Sequence, residues 1–493
     1  LREYYGSLNN KYTYIQSKIS NREILGVSMD ILDLMDRGLK YLEKLNVKYA
    51  DLRYQEYSYE LVIAEDRSLR EYSVITRRGI GVRIFNNGSW GFSSTNILRS
   101  EDLFKTIDRA YAITKSFPSN KDIAERKVFR EKVSASYKKD PFEVSPEEKT
   151  KIVLEANKQS IIGNSIKSAV TRLGIQRDKR IVVSTDGVFV EVSSYLVGLS
   201  HLSVASEGAV RERVFDQRSM VAGWEFIEGN DWGSFTRELS ELALKAVKAP
   251  MPRAGKHLII SDPDLIGLIL HEAFGHASEG DLVSSGTSIL KNKLGEQIAS
   301  EHVTIVDDGL VEGGYFVPYD DEGNKKKRTV IVEKGILKGY LTHMSSAKEL
   351  GIEISGNGRA QDFENIPIVR QTNLYMLPGD YSFEELIEDI KEGYYLLGRG
   401  AGGGQVDTSA GTFTFAVGPS YEIRNGEISG LVRSTVVSGF ILETLKGVEA
   451  VGKDLKVETS VFGGCGKDGQ LVRVGHGGPH VKIRSMIVGG ESK

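Results

Sequence analysis

Apolar residues recur at three-to-four spacing from Asp30 to Asn46, at Ile31, Leu34, Met35, Leu39, Leu42 and Leu45, which predicts an amphipathic helix. Over 48–65 the period shortens to two, the signature of a half-buried strand. Gly81-Val-Arg-Ile-Phe, Asn86-Asn87-Gly88 and Ser89-Trp-Gly-Phe predict a hairpin, because Asn-Gly supplies the positive φ of a tight turn. Helical periodicity returns over 101–115. Ser145-Pro146-Glu147-Glu148 predicts a helix start running to about Gln159, with Ser145 as cap, proline in the first turn and Glu148 closing a capping box. Short β-like runs over 181–215, separated by Asp186-Gly187 and Glu207-Gly208, predict a meander, and 234–249 predicts another helix.

Two prolines and a glycine in Pro250-Met251-Pro252-Arg253-Ala254-Gly255 break the pattern. Beyond them helices thin out, and β-like runs separated by Gly-Asp, Asn-Gly and Lys-Gly turns dominate. The expected architecture is α+β: an N-terminal α/β domain over 29–250, then a β-rich domain over 251–493 carrying one chemistry-bearing helix. Residues 1–28 hold four tyrosines among polar residues and no apolar core, and the first methionine is Met29. They are expected to be an extension outside the fold, or a segment that precedes the true start.

Composition narrows the function. One cysteine, Cys465, in 493 residues excludes an internal disulfide and cysteine-rich zinc sites, and it suits a reducing compartment. With 64 basic and 67 acidic side chains the net charge is −3, without the footprint of a nucleic-acid binder. No window approaches 18 apolar residues, so no membrane span is expected. There is no Gly-x-Ser-x-Gly for a serine hydrolase and no phosphate-binding Gly-x-x-x-x-Gly-Lys-Ser/Thr.

His271-Glu272-Ala273-Phe274-Gly275-His276 carries the most chemistry. It follows the apolar run 265–270, with Pro263 near the first turn, so a buried helix ends in His-Glu-x-x-x-His. Histidines are common zinc ligands, and an adjacent glutamate suits a general base. Five residues turn an α-helix by about 500°, which splays the two imidazoles by about 140°. They can share one ion only if the helix widens into a π-turn or ends early. Gly275, tolerant of unusual backbone angles, is where that break is expected. Three protein ligands and a water are usual at a catalytic zinc. Glu279, Asp281, Cys465, His476 and His480 are the candidates for the third. Cys465 lies in a glycine-rich loop beside Lys467, which would favour the thiolate.

These segments resemble the TldD/PmbA family of zinc metalloproteases, in its TldD-like, metal-bearing form. The similarity runs from about Met29 onward. It rests on Gly81-Val-Arg-Ile-Phe with Trp90-Gly-Phe-Ser-Ser-Thr-Asn96; on His271-Glu-Ala-Phe-Gly-His with Glu279-Gly-Asp281; and on Arg328-Thr-Val with Gly335-Ile-Leu-Lys-Gly-Tyr-Leu341. Further matches are Gly356-Asn-Gly-Arg359, Met376-Leu-Pro-Gly-Asp380, Gly402-Gly-Gly-Gln-Val-Asp407 and Cys465-Gly-Lys-Asp-Gly-Gln470. The resemblance implies His271, His276 and Cys465 as ligands of one zinc per active subunit, and Glu272 as the catalytic glutamate. Glu279 and Asp281 then become groups behind the ligands. It also implies a cytoplasmic protease of small or unfolded peptides, acting as a dimer with itself or with a motif-less paralogue. A non-catalytic peptide-binding or regulatory protein with a structural zinc, closed by Glu279 or His476, is the competing reading.

Three features remain. The glycines Gly402, Gly403 and Gly404 before the strand-like 412–417 suit the close approach of a peptide backbone adding to a sheet. His476 and His480, unexpected in the family, are read as loop histidines, with an auxiliary metal ligand as the alternative. Lys325-Lys326-Lys327-Arg328 beside Asp320-Asp321-Glu322 reads as a solvated loop.

Overall fold

The computed structural model describes residues 30–398 and 404–490. The expectations for 1–28, and for Gly402 and Gly403, lie outside the described residues.

The two-residue alternation becomes long strands. β1 (Tyr49–Glu65), β2 (Ser68–Asn86), β3 (Ser89–Thr95), β4 (Arg130–Ser134), β5 (Ile166–Ser184), β6 (Phe189–Glu207) and β7 (Val210–Met220) form one sheet of order β3-β2-β1-β5-β6-β4, with β7 also on β6. The 181–215 region is thus a meander, but of strands reaching 19 residues, longer than its short apolar runs suggested. α1 (Ile31–Glu43) and α2 (Ser100–Ser116) cover one end of a sheet face, packing Leu34, Leu42, Leu103 and Ile107 on Leu52, Val82 and Ile84. α3 (Pro146–Ser160), α4 (Glu225–Glu228) and α5 (Trp232–Ala246) cover the other end, around Val62, Val153, Leu173, Val197, Trp224 and Phe235. Ser145 caps α3 by accepting from the Glu148 amide at 3.2 Å, but no capping box closes, because the Glu148 carboxylate accepts from Trp224 Nε1 at 3.1 Å instead.

The polar positions of that alternation do not face water. Asp51, Arg53 and Gln55 on β1, with Gln176 and Asp178 on β5, are buried, and Arg53 and Gln176 donate across to the Asn365 carbonyl and the Tyr315 hydroxyl of the second half. Arg83 bridges Asp51 at 2.6 Å and Glu322 at 2.7 Å, and Arg180 bridges Asp178 at 2.9 Å and Asp321 at 2.7 Å. So the loop around Glu322 is not solvated as expected. Lys326 is buried against Asp307 at 2.9 Å, while Lys325 and Lys327 stay exposed.

No strand pairing among the described residues joins the sheet before residue 250 to those after it. The later part holds a sheet in which β8 (Gly255–Ser261) lies between strands Glu392–Leu396 and Val481–Gly490, with Glu427–Phe440, Thr412–Arg424 and the edge strand Gly404–Asp407 beyond. A second sheet runs from Ile336–Leu337 through Asn373–Met376 to Gly475–Gly478 and Lys456–Thr459. Between them is the largest apolar core, built on α6 (Pro263–Ile269), whose Leu265, Ile266 and Ile269 are fully buried. None of the described helices is long and apolar enough to cross a membrane.

One buried titratable group in the first half reports on packing. His201 of β6 bonds Thr171 and Ser203 at 2.8 Å each, and burial pushes its imidazole down from 6.5 to about 3. Between those values the unfolded chain takes up a proton that the folded one refuses, so stability falls as pH drops through the window, by up to about 1.4 kcal/mol per pH unit. Urea midpoints measured from about pH 7 to about pH 4 should fall with a shallower slope in His201→Gln than in wild type; equal slopes would remove His201 from the acid limb.

Candidate metal centre

Asp262 starts α6 by accepting the Leu265 amide at 2.7 Å, and Pro263 occupies the first turn. After Ile269 the helix widens: Leu270–Gly275 is one turn of π-helix, followed by a 3-10 turn, His276–Ser278, and by α7 (Gly280–Ser285). The five-residue spacing of the histidines is therefore met by a π-turn. The imidazoles lie 5.4 Å apart, centroid to centroid, and 75° to one another.

Gly275 contributes differently from expectation. Its φ of −61° and ψ of −47° are ordinary helical values. A Cβ there would instead lie 2.1 Å from Gln371 Oε1. Gln371 needs that space because its Nε2 donates to the His271 carbonyl at 3.0 Å, satisfying a backbone acceptor in the widened turn. The adjacent Arg370, fully buried, donates to the Cys465 carbonyl.

Cys465 arrives from a hairpin, Cys465–Lys467 against Gln470–Val472. Asp468 and Gly469, at φ 49° and 73°, make its turn. Its Sγ lies 3.1 Å from His276 Nε2 across 189 residues of sequence. One donor atom from each of His271, His276 and Cys465 falls within 4.8 Å of the others. Glu279, fully buried, accepts at Oε2 from His276 Nδ1 at 3.2 Å, which leaves Nε2 toward the thiol. Lys467 bridges Glu279 at 2.9 Å and Asp281 at 2.7 Å. It serves these carboxylates, not the thiol as its proximity had suggested. Burial pushes the Cys465 thiol up, but the charge and hydrogen bonds of His271 and His276 outweigh it and bring the thiol down to about 5. Glu272 is partly exposed and has no hydrogen bond or ion pair among the described residues.

His476 is not a loop residue. It lies in strand Gly475–Gly478 with its ring 6.0 Å from that of His271, outside the three-residue cluster. His480 is turned away, bonded to Asp454 and to Tyr395. Gly404 opens the edge strand Gly404–Asp407, which contacts the π-turn. Gln371 and Arg370 were not foreseen; no periodicity or motif marks them.

The donor set fits a zinc ion: two imidazoles and a low-pKa thiolate, one imidazole oriented by a carboxylate, and the buried Nδ1 of His271 without a hydrogen-bond partner.

Three family models match in order: PmbA/TldA metallopeptidase domain 1 over 50–114, the central domain over 139–247 and the C-terminal domain over 254–490. A metalloprotease of Methanothermobacter thermautotrophicus is 37% identical over 460 residues, covering 93% of this chain and 97% of its own. The chain belongs to the TldD/PmbA family. Another member, named zinc metalloprotease TldD homolog in Saccharolobus solfataricus, is 32% identical over 92% of this chain and all of its own. Among solved structures, TldE from Thermococcus kodakarensis shares the family fold at a TM-score of 0.77 and 20% identity, covering 93% of this chain and all of that one.

Gly275→Ala should destabilise the protein by about 1–3 kcal/mol through overpacking on Gln371. Adding Gln371→Ala should cost less than the sum of the two single changes, since it removes the clash. Chemical denaturation of the four proteins checks this, and strict additivity would mean that Gln371 does not constrain Gly275.

Proposed function

We propose that the protein is a zinc-dependent peptidase of small or unfolded peptides, with His271, His276 and Cys465 as metal ligands. The observation that carries this reading is the convergence of those three donors beside a partly exposed glutamate that has no hydrogen bond or ion pair among the described residues. A zinc ion held there would supply Lewis-acid chemistry for peptide hydrolysis. Glu272 would act as the general base, taking a proton from the attacking water and passing it to the leaving amine. Glu279 holds His276 in the tautomer whose Nε2 lone pair points into the cluster, and Lys467 with Asp281 holds Glu279. The edge strand beginning at Gly404 accepts the peptide backbone, with Gly402 and Gly403 leading into it.

Catalysis is favoured over a purely structural ion because no fourth histidine, cysteine or acid joins the cluster among the described residues. Glu279, one candidate to close it, is engaged behind His276, and His476 stands apart. The names of the relatives point the same way. The same reading makes this a cytoplasmic protein with one zinc per active subunit, dimeric with itself or with a motif-less paralogue, and without nucleic-acid or membrane partners.

Zinc analysis and cleavage of a mixture of unstructured peptides test it. Cys465→Ala should lose most of its zinc. Glu272→Gln should keep zinc in full and lose about 10²–10⁴-fold in cleavage rate. Full zinc in the first variant would remove the thiol from the site, and full activity in the second would remove the general base.

A further inference from the structure

On the sheet side of the Cys465 hairpin is a cavity of about 200 Å³ between the two halves of the chain. Its wall holds four arginines, Arg77, Arg180, Arg359 and Arg473, against two aspartates, Asp178 and Asp362. Arg180 is matched by Asp178 and Asp321, and Arg77 stands 3.9 Å from Asp362. Among the described residues Arg359 and Arg473 have no carboxylate within salt-bridge distance. Arg359 is 5% exposed and donates only to the carbonyls of Gln371 and Arg473, at 2.6 Å each. Arg473 donates to Gln176 Oε1 at 2.9 Å and to the Gly463 carbonyl.

A guanidinium buried without a counter-charge is costly. Burial outweighs the favourable influence of Tyr315 and Asp321 and, with Arg180 and Arg370 adding to it, brings Arg359 down to about 10. The cavity therefore carries unbalanced positive charge where an anion would restore the balance. Arginine's planar fork suits a carboxylate in particular.

Two further features specify the anion. Gln55 lines the cavity and donates its Nε2 to Asp178 at 2.8 Å, which leaves its buried Oε1 without a partner. An unpaired buried acceptor asks for an N–H donor. Tyr57, Leu471 and Val472 add apolar wall. A carboxylate, an adjacent N–H and a side chain are together the last residue of a peptide, and about 200 Å³ holds one such residue and little more.

We propose that this cavity is a recognition site for the C-terminal residue of a peptide, with Arg473 and Arg359 on its carboxylate and Gln55 Oε1 on its N–H. None of its wall residues belongs to the three-residue cluster, so the proposal stands whether or not that cluster cleaves peptides. The two places are nevertheless joined: Arg359 holds the Gln371 carbonyl, and the Gln371 side chain holds the His271 carbonyl.

N-acetyl-leucine carries all three features and no peptide bond between residues. Calorimetric titration of the full-length, zinc-loaded protein should show it binding roughly tenfold tighter than N-acetyl-leucinamide, the value of a charge-assisted pair over a neutral one. Arg473→Met should abolish that preference. Arg473→Lys, which keeps the charge but loses the planar fork, should reduce it several-fold and decides the matter if the first variant fails to fold. Equal binding of acid and amide, or a preference that survives both substitutions, overturns the proposal. Inorganic phosphate binding more tightly than N-acetyl-leucine overturns it too, because a bare anion would then suffice.

Discussion

The metal centre depends on two adjacent residues that touch no metal. Histidines five apart demand a widened helical turn, and widening displaces backbone acceptors from their intrahelical donors. The Gln371 amide fills the vacancy at the His271 carbonyl, and Arg370 beside it holds the Cys465 carbonyl. One dipeptide thus pins both the histidine turn and the cysteine hairpin, 100 and 95 residues away in sequence. Rigid backbone at each ligand is what brings three side chains into register before any ion arrives. Gly275 is the price of this arrangement, since a Cβ would occupy the space of the Gln371 amide.

Behind the histidines a second layer works by charge. Glu279 is fully buried, and burial alone would raise its carboxyl. His276 and Lys467 outweigh burial and hold it at about 2. An ionised Glu279 fixes the Nδ1 proton of His276, and Lys467 reaches on to Asp281, which ties the cysteine hairpin to α7. The hairpin is therefore anchored by Arg370 at the Cys465 and Gln470 carbonyls, by Gln361 at Gln470 and Leu471, and by the Lys467 ammonium.

Much of this was legible in the chain. The Asn-Gly hairpin, the Ser145 cap and the need for an irregular turn between the histidines follow from local rules that tertiary context did not overturn. What stayed hidden was what lies across from a residue. Alternation along β1 identifies an apolar face, but it does not say whether the polar face meets water or another part of the chain. Here Asp51, Arg53 and Gln55 are buried, Arg53 donating to the Asn365 carbonyl and Asp51 holding the Arg83 that reaches Glu322. Lys326 was hidden for the same reason: three of its four-residue cluster look alike in sequence, and only the fold sends one of them to Asp307. Gln371 is the extreme case, because a single polar residue that satisfies a distant carbonyl leaves no periodic trace.

The buried charges between the halves are poor candidates for the source of stability. Removing Arg83, Glu322, Arg180 and Asp321 from water costs several kcal/mol per ion, and their attraction returns little beyond that. They act better as a constraint on geometry. Salt bridges of 2.6–2.7 Å from Arg83 form only when Asp51 and Glu322 approach it together, and Arg180 imposes the same condition on Asp178 and Asp321. A purely apolar seam resists sliding only through the shape fit of its side chains, since dispersion carries no charge or directional requirement. A polar seam adds that requirement, because a slip leaves buried charges unpaired. The cavity beside Arg359 lies within that seam, and the Cys465 hairpin forms part of its wall. The position of the thiol relative to His271 and His276 is thereby referred to the first half of the chain, even though all three donors come from the second.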